Sequence, residues 1–203
     1  MLITNFKHHL IKPIKGCIHI GAHHAEEKNI YKQYGINNII WIDANPDYEE
    51  IINNNTNNED LVIIRGIGNK KRKVNFNISN NGQSSSILEL GTHKNEHPHI
   101  FYTNQIEISE DRMVDIVDEF KINIDNYNFL NLDIQGYELE AIKGFENLIE
   151  KFDYIYTEVN INHLYENCSL ITDIDNYLQK YSFVRVETSI THHGWGDALY
   201  IKK

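Results

Sequence analysis

Cysteine is scarce in this sequence, and its scarcity limits the kinds of protein the chain can be. Only Cys17 and Cys168 occur among 203 residues, one within an apolar run and one within a polar segment. Two such residues are too few for a disulfide framework, and they lack the close spacing of a paired-cysteine zinc site. The sequence therefore predicts a cytoplasmic protein in a reducing setting.

Long hydrophobic runs are also missing. No window of about 18 apolar residues, the length that spans a bilayer, occurs in the chain. The first 15 residues, MLITNFKHHLIKPIK, hold no apolar stretch long enough for a secretory signal peptide. We therefore expect a soluble protein without a membrane partner, and we interpret residues 1–15 as an extension that packs on the folded domain.

Positive charge is in short supply as well. The chain has 19 Lys and Arg against 29 Asp and Glu, so its formal net charge is −10 at pH 7. Proteins that bind nucleic acid usually present a basic face to the phosphate backbone. The composition therefore argues against a nucleic-acid partner and favours a small-molecule or glycan substrate. It indicates no particular oligomeric state.

The apolar residues that are present are arranged as in a parallel sheet. A chain of 203 residues, 41% of them hydrophobic, is long enough for one domain with one sizeable core, which we assign to residues 1–203. Short apolar runs predict buried strands at residues 17–20, 39–42, 61–64, 129–132 and 154–159. Segments of helical period lie between several of them, at residues 25–34, from Pro46 to Ile52, and at 137–152. This alternation predicts a doubly wound α/β fold.

The middle and the end of the chain break that alternation. Residues 66–108 contain a short alternating strand at 74–78 and a polar stretch rich in Ser and Gly, and a long irregular segment of this kind often carries function. Residues 105–109 then predict a short strand, and Ser109 predicts the cap of a helix that runs to Phe120. A helix at 169–181 and strands at 183–189 and 197–201 predict a C-terminal antiparallel hairpin.

A cofactor site is predicted at the end of the first strand. Gly21 makes a tight turn into a helix at the carboxyl edge of the sheet, where open α/β sheets bind ligands. Asp43 ends the second strand 22 residues later, the spacing at which an acid contacts the ribose of an adenosine cofactor. The competing interpretation is an ordinary strand-to-helix turn with an acidic cap.

The identity of the cofactor follows from what the turn does not contain. A dinucleotide needs several glycines beside its pyrophosphate, whereas Gly21 is followed by His23, His24 and the acidic pair Glu26 and Glu27. The phosphate loop of nucleotide triphosphate enzymes is absent too. A cofactor with a cationic sulfonium tolerates this acidic turn, which favours S-adenosylmethionine over NAD.

Six segments in order resemble the FkbM family of methyltransferases along nearly the whole chain: GAHHAEE, WIDANP, NNGQSSSI, FLNLDIQGYELEAIKG, YTEVN and WGDALYIKK. The resemblance implies a class I methyltransferase (Rossmann-like) fold, S-adenosylmethionine as cofactor, and O-methylation of sugars, glycans or natural products. His19 departs from the family pattern by replacing an acid, Ala25 by replacing a glycine, and Asp43 by replacing a glutamate. We assign the cofactor contacts to Gly21, His23, Glu26, Asp43, Asn45 and Asp133.

Two carboxylates are the candidates for the chemistry. Methyl transfer to a hydroxyl requires alignment of the acceptor, exclusion of water and removal of one proton. Asp133 ends the fourth predicted strand of the sheet and Glu158 lies near the end of the fifth, so the fold brings them to one edge. We predict both as catalytic residues and leave open which one is the base. Glu138 is either a helix-start residue or a further catalyst.

Metal dependence is an open alternative that we do not expect. Asp133, Glu158, Asn160 and His163 offer oxygen and imidazole ligands of the kind that bind a divalent ion. No close metal-binding spacing supports such a set, so we predict no metal ligands.

Substrate contacts are predicted from two regions. His193 and Trp195 lie in the turn of the last hairpin, where rings can stack on a sugar, although an ordinary glycine turn explains them equally well. Asn160 ends the fifth strand, and the resemblance alone implies Ser85 and Ser86 as part of the active-site wall. A non-catalytic binding module with the same fold, or an NAD-dependent oxidoreductase, is the alternative to a methyltransferase.

Overall fold

The computed structural model describes residues 8–57 and 59–203. Ten strands are present: β1 (Cys17–Ile20), β2 (Ile39–Asp43), β3 (Leu61–Ile64), β4 (Gly66–Ile67), β5 (Arg72–Ser79), β6 (Tyr102–Asp111), β7 (Phe129–Leu132), β8 (Tyr154–Asn160), β9 (Phe183–Ile190) and β10 (Trp195–Lys202). The α-helices are α1 (Lys28–Gln33), α2 (Glu49–Asn55), α3 (His93–Glu96), α4 (Met113–Glu119), α5 (Glu138–Lys143) and α6 (Ile171–Gln179). Within the described residues, none of these helices is long and apolar enough to cross a membrane.

Seven strands form the main sheet, in the order β3-β2-β1-β7-β8-β10-β9. Neighbouring strands from β3 to β8 are parallel, whereas β10 runs antiparallel to both β8 and β9. The predicted doubly wound fold and its antiparallel C-terminal hairpin are therefore confirmed. The strand order reverses between β1 and β7, and this reversal opens a crevice at the carboxyl ends of those strands.

Both faces of the main sheet are covered by hydrophobic packing. In β1, Ile18 and Ile20 point into one cluster, together with residues of α4, α5 and α6. Cys17 points the other way, into a cluster with Trp41 of β2 and Tyr31 of α1. Strands buried on two faces consist of near-continuous apolar residues, which is why the short runs in the sequence identified them.

A second, small sheet lies in the middle of the chain and corrects one prediction. Its order is β4-β6-β5, and β6 extends through Asp111 instead of ending at Ser109. Ser109 is paired with Lys73 of β5 and is not a helix cap; α4 begins at Met113, after the extended residue Arg112. The long antiparallel pairing with β5 stabilises this strand over the local capping pattern, which no short-range signal reveals.

Several helices are shorter than their periodicity predicts. The segment 137–152 is divided into α5 and a 3₁₀ helix, Glu146–Lys151, because Glu146 has a left-handed φ of 48° that an α-helix cannot contain. The first predicted helix starts only at Lys28, since Ala25 has a φ of 57°.

The N-terminal extension is described from residue 8 onward. The backbone N–H of Lys12 donates to the Tyr154 hydroxyl at 2.7 Å, and that of Lys15 donates to Asn128 Oδ1 at 2.7 Å. These bonds attach residues 12–15 to the start of β8 and to the residue before β7. The part of the prediction that concerns residues 1–7 lies outside the described residues.

Candidate functional site

A cleft of about 800 Å³ opens at the carboxyl ends of β1, β7 and β8. Its walls include six of the predicted site residues, namely Gly21, His23, Glu26, Asp133, Glu158 and, from the last hairpin, Trp195. A smaller cavity of about 60 Å³ adjoins it and is lined by Gly21, His23, Asp43, Ser85 and Asp133, among others. The sheet therefore gathers most of the predicted site at the point where its strand order reverses.

Gly21 is required by the close approach of two loops. Its φ is 88°, and a Cβ atom at this position would lie 1.8 Å from the backbone oxygen of Asp133. The turn continues through His23 and Ala25, both of which have positive φ. Ala25 thus adopts the conformation that a glycine favours, at the position where the family pattern has one.

Asp43 is held rigidly at the end of β2. Its Oδ2 accepts the backbone N–H of His23 and its Oδ1 accepts that of Asn45, both at 2.8 Å. Burial raises the pKa of Asp43 to about 6. A carboxylate has about four lone-pair positions, so Asp43 can still accept a hydrogen bond from a ligand hydroxyl.

His23 and Glu26 contact each other in the turn after β1, whereas Asn45 has a local role. His23 Nδ1 lies 2.9 Å from Glu26 Oε1, and both residues line the large cleft. Asn45 is buried, and its Oδ1 accepts the backbone N–H of Asp47 at the start of a short 3₁₀ helix. Asn45 therefore shapes the loop after Asp43 and is not among the described residues that line the two cavities.

Asp133 and Glu158 are brought together by a residue that the sequence analysis did not single out. Gln135 Nε2 donates to Asp133 Oδ1 and to Glu158 Oε2, each at 2.7 Å. Burial, followed by repulsion from Asp133 and Glu138, raises the pKa of Glu158 well above its usual range. In its charged form, a carboxylate with a raised pKa is a stronger base than an exposed one.

Glu138 stabilises the turn that carries Asp133 and Gln135. Its Oε1 accepts the backbone N–H groups of Ile134 at 3.0 Å and Gly136 at 3.1 Å. The side chain is buried, and burial raises its pKa to about 7. Of the two roles considered for Glu138, this geometry favours the structural one.

His19 forms a buried polar chain at the end of β1. The Asn131 amide donates to the Tyr31 hydroxyl at 2.6 Å, and this hydroxyl lies 3.0 Å from His19 Nδ1. Burial lowers the pKa of His19 to about 4, so the imidazole is neutral. The residue that replaces the family's usual acid therefore lines the cleft as an uncharged ring.

The predicted serines lie at different depths. Ser85 Oγ donates to the Gly82 carbonyl oxygen at 2.7 Å, and this side chain borders the smaller cavity. Ser86 is fully buried, and its Oγ donates to the Gln135 carbonyl oxygen at 2.8 Å. Ser86 thus fixes the backbone of Gln135 and does not line the large cleft. Ser84 is the serine that borders that cleft.

The last hairpin brings one ring to the cleft. Trp195 lines it and is paired across the sheet with Asn160. Asn160 is fully buried, and neither its Oδ1 nor its Nδ2 has a hydrogen-bond partner among the described residues. His193 contacts Glu96 Oε2 through Nδ1 at 2.9 Å and is not among the described lining residues of the cleft.

Comparison with known families identifies the class of protein. The family model of the methyltransferase FkbM domain matches residues 19–185, which include the last two residues of β1, all of β2, β7 and β8, and the Asp43, Asp133, Gln135 and Glu158 positions described above. The chain belongs to the FkbM methyltransferase family. A comparison with curated protein sequences gives no match.

Solved structures share the fold of this FkbM family member at low sequence identity. ChlM, the magnesium protoporphyrin IX methyltransferase of Synechocystis PCC 6803 solved with bound SAM, is 10% identical with a TM-score of 0.50; the match covers 94% of this chain and 70% of that one. Sp1610 of Streptococcus pneumoniae is 9% identical with a TM-score of 0.52, and the match covers 96% and 66%. The predicted class I methyltransferase fold is confirmed.

The FkbM chain spans only part of some of these proteins. It covers 62% of TrmK from M. capricolum, solved with S-adenosyl-homocysteine, to which it is 9% identical over 93% of its own length, with a TM-score of 0.48.

Two groups of potential metal ligands occur among the described residues of this FkbM protein. They are His8, His9 and Glu187, and His23, His24 and Glu26, whose donor atoms lie within 4.8 Å of one another in each group. Neither contains Asp133, Glu158, Asn160 or His163, the set considered from the sequence. The His163 Nδ1 instead lies 3.0 Å from the Cys168 carbonyl oxygen.

Sequence reasoning missed Gln135 and Tyr165 in this FkbM site. The Tyr165 hydroxyl donates to Gln135 Oε1 at 2.6 Å, and both residues line the cleft. Gln135 lies within the segment that carries the family resemblance, directly before the glycine of LDIQG, so its position was a usable signal. Tyr165 comes from a loop 30 residues away, and its contact depends on long-range packing.

Proposed function

We propose that this FkbM family member is an S-adenosylmethionine-dependent O-methyltransferase that acts on a hydroxyl of a sugar, a glycan or a small natural product. The observation that carries the proposal is the pair Asp133 and Glu158, held together by Gln135 in the cleft at the strand reversal. The bound SAM in the ChlM structure, which shares the fold, supports the same cofactor here.

The residues present fit that cofactor. When bound, S-adenosylmethionine supplies an electrophilic methyl group. The Asp43 carboxylate can accept from ribose hydroxyls, and Gly21 lets the turn after β1 approach the backbone of Asp133, where a Cβ atom would clash. Glu26 and His23 line the cleft and are available for the amino-acid end. The left-handed conformation of Ala25 and the neutral ring of His19 are compatible with that cofactor at two of the three positions that depart from the family pattern.

Glu158 is the residue that we assign as general base. Its Oε2 is occupied by Gln135, which leaves Oε1 to accept the proton of the acceptor hydroxyl. Its raised pKa makes the charged carboxylate more basic, which favours proton transfer from a hydroxyl. Asp133 lies against the same amide and orients it.

The character of the cleft supports a small-molecule or glycan acceptor over nucleic acid. Lys and Arg are absent from the described residues that line it, so no basic group is available there for a phosphate backbone. Cys17 and Cys168 are both free and buried, which supports a cytoplasmic location. We propose catalysis without a metal, because the two groups of potential ligands exclude Asp133 and Glu158.

Amide variants of the two carboxylates test the assignment. Asp133→Asn and Glu158→Gln retain the shape of each side chain and remove its charge. If Glu158 is the base, Glu158→Gln lowers kcat about 100-fold or more and leaves S-adenosylmethionine affinity nearly unchanged. A loss of affinity with little change in kcat indicates instead that the carboxylate only positions the sulfonium.

The matched control is Asp118→Asn, an exposed aspartate on α4 whose side chain is 86% accessible. Release of S-adenosylhomocysteine from a hydroxyl acceptor is the readout, and calorimetry reports cofactor affinity. Near wild-type turnover in both cleft variants would show that neither carboxylate removes the proton. A folded protein that binds S-adenosylmethionine but methylates no hydroxyl acceptor would be the non-catalytic binding module that is the main alternative.

A further inference from the structure

We propose that the acceptor of this enzyme carries a positively charged amino group, which binds a carboxylate wall formed by Glu158, Asp197 and Glu187. The inference rests on the proposed methyltransferase function and narrows its substrate class to hydroxylated amines.

The wall is built by the register of three adjacent strands. Asp197 of β10 lies directly opposite Glu158 of β8 on one side and Ser189 of β9 on the other. Directly opposite residues of antiparallel strands point to the same face of a sheet. Glu187 is two residues before Ser189, so it points to that face as well. All four residues line the large cleft.

The hydrogen-bond donors described for this wall are mostly neutral. Glu158 accepts from the Gln135 amide, and Asp197 Oδ2 accepts from the Tyr156 hydroxyl at 3.0 Å. Glu187 Oε2 lies 3.3 Å from Nε2 of His9. Among the described residues, no ion pair joins Asp197 or Glu158 to a Lys or Arg side chain, so no described Lys or Arg pairs with these two carboxyl groups.

The positive charge of the cofactor does not account for all of the negative charge that lines the cleft. Six carboxylates line the described part of the cleft, and no Lys or Arg does: Glu26, Glu27, Asp133, Glu158, Glu187 and Asp197. The sulfonium and ammonium of S-adenosylmethionine are opposed in part by its own carboxylate. Its predicted contacts lie at the turn after β1, at the end of β2 and at Asp133. Asp197 and Glu187 belong instead to β10 and β9, on the far side of Glu158 in the strand order.

The electrostatic state of Asp197 agrees with a cationic ligand. Burial, followed by repulsion from Asp133, raises the pKa of Asp197 to about 6. An ammonium group within contact distance favours the charged carboxylate and reverses that effect. A phosphate or carboxylate in the same place adds repulsion at low effective dielectric, which costs free energy.

A second observation points to a ligand at this cleft. His93 lines it and is only 6% exposed, and its Nδ1 has no hydrogen-bond partner among the described residues. Burial lowers the pKa of His93 to about 4, so the ring is neutral and adds no positive charge. Buried polar atoms are usually paired, and a neutral imidazole can accept a hydrogen bond from an ammonium or a hydroxyl group.

The acceptor class is tested with matched pairs of compounds. Amino alcohols, amino sugars and aminoglycosides are each compared with the N-acetylated form, which keeps the hydroxyls and removes the charge. Release of S-adenosylhomocysteine is measured at pH 7.5 with sugar phosphates included in the panel. We expect an amine whose kcat/KM exceeds that of its N-acetylated form by about tenfold or more, mainly through a lower KM, and no turnover of the sugar phosphates.

The outcomes separate this proposal from the proposed function. Equal or faster turnover of neutral or phosphorylated acceptors overturns the cationic acceptor and leaves O-methyl transfer intact. A protein that binds S-adenosylmethionine by calorimetry and turns over no amine in the panel also overturns it. Failure to bind S-adenosylmethionine contradicts the proposed function itself.

A substitution that places a positive charge in the carboxylate wall is a second test of the proposal. Ser189 is exposed, so Ser189→Lys can fold, and its ammonium would lie beside Asp197. We expect this variant to raise the KM for the preferred amine about tenfold or more with little change in kcat or in cofactor affinity. Asn54→Lys adds the same charge on the exposed surface of α2 and is the matched control. The same KM in both variants overturns the proposal.

Discussion

Asp133 and Glu158 accept hydrogen bonds from a single atom, the Nε2 of Gln135, at 2.7 Å each. Gln135 is itself held from two other directions: its Oε1 accepts from the Tyr165 hydroxyl at 2.6 Å, and its carbonyl oxygen accepts from Ser86 Oγ at 2.8 Å. Its backbone has a left-handed φ of 59°. A non-glycine residue in this conformation is strained, and the conformation goes together with a side chain that bridges the two carboxylates.

Replacement of Gln135 by glycine separates the role of its side chain from that of its backbone. Gln135→Gly removes the shared donor and relieves a strain of about 1 kcal/mol. We expect a loss in kcat of about tenfold or more with little loss of thermal stability. Because a hydrogen bond to the charged form of Glu158 is lost, the pKa seen in the pH profile of kcat should rise.

The matched control for that substitution is Ser182→Gly, since Ser182 also has a positive φ, of 66°, and is exposed outside the cleft. Both variants gain the freedom of glycine at a left-handed position, but only one loses a contact to the carboxylates. An unchanged pH profile and kcat in Gln135→Gly would contradict a positioning role for this residue.

The parts of the fold that the sequence predicted are those with a local signal. Strands β1, β2, β7 and β8 are buried on both faces, and the edge strand β3 is half-buried, so each appears as a short apolar run. The extension of β6 to Asp111 depends on pairing with β5, and the break after α5 depends on the left-handed Glu146, neither of which has a periodic signal. Tertiary context overrode local propensity at both positions.

The candidate site also contains residues that the sequence could predict and residues that it could not. Asp43, Asp133 and Glu158 could be predicted because each lies near the carboxyl end of a parallel strand, and the fold brings such ends to one edge. The carboxylate wall could not, because Asp197 reaches Glu158 only through the antiparallel register of β10. Tyr165 likewise reaches Gln135 from a loop whose path the sequence does not reveal.

Asp43 is predicted to hold the ribose of the cofactor. Asp43→Ala removes charge-assisted hydrogen bonds and should weaken S-adenosylmethionine binding by about 1.5–3 kcal/mol in a protein that still folds. Ribose hydroxyls donate to the charged carboxylate, and the pKa of Asp43 in the free protein is about 6. The affinity of the unmodified protein should therefore decrease as the pH falls through about 6.

Isothermal calorimetry at pH 8 and pH 5.5 measures both effects. Asp47→Ala is the matched control, since Asp47 is exposed in the 3₁₀ helix that follows and contributes no side chain to the two cavities. The pH dependence of affinity should be reduced in Asp43→Ala and kept in Asp47→Ala. Equal affinity for the cofactor in folded Asp43→Ala and in the unmodified protein would rule out the ribose contact.

Buried carboxyl groups should make the protein less stable at alkaline pH, and Glu138 provides the clearest test. Burial raises its pKa from the usual 4.5 to about 7. A carboxyl group whose pKa is raised by folding contributes stability that is fully present below the unfolded value and is lost as the pH rises through the folded value. For Glu138 that loss occurs between about pH 4.5 and pH 7, and Asp43 and Asp197, both with a pKa of about 6, add to it.

Two histidines act in the opposite direction in the acidic range. Burial lowers the pKa of His19 and that of His93 from 6.5 to about 4. Their contribution to stability is present above pH 6.5 and is lost as the pH falls toward 4. This contribution is the same in a Glu138 variant and in the unmodified protein, so the difference in stability between those two proteins at each pH reports on the carboxyl group.

Glu138→Gln isolates the carboxyl contribution, because its amide oxygen can still accept the N–H groups of Ile134 and Gly136. We expect urea denaturation at pH 8 to show a gain of about 1–3 kcal/mol over the unmodified protein, and little or no gain at pH 5. Glu50→Gln, on the exposed surface of α2, makes the same change in net charge and should shift stability by less than about 0.5 kcal/mol at either pH. The comparison separates burial from the general relief of a net charge of −10. A stability difference between Glu138→Gln and the unmodified protein that is the same at both pH values would show that Glu138 is not held at a raised pKa.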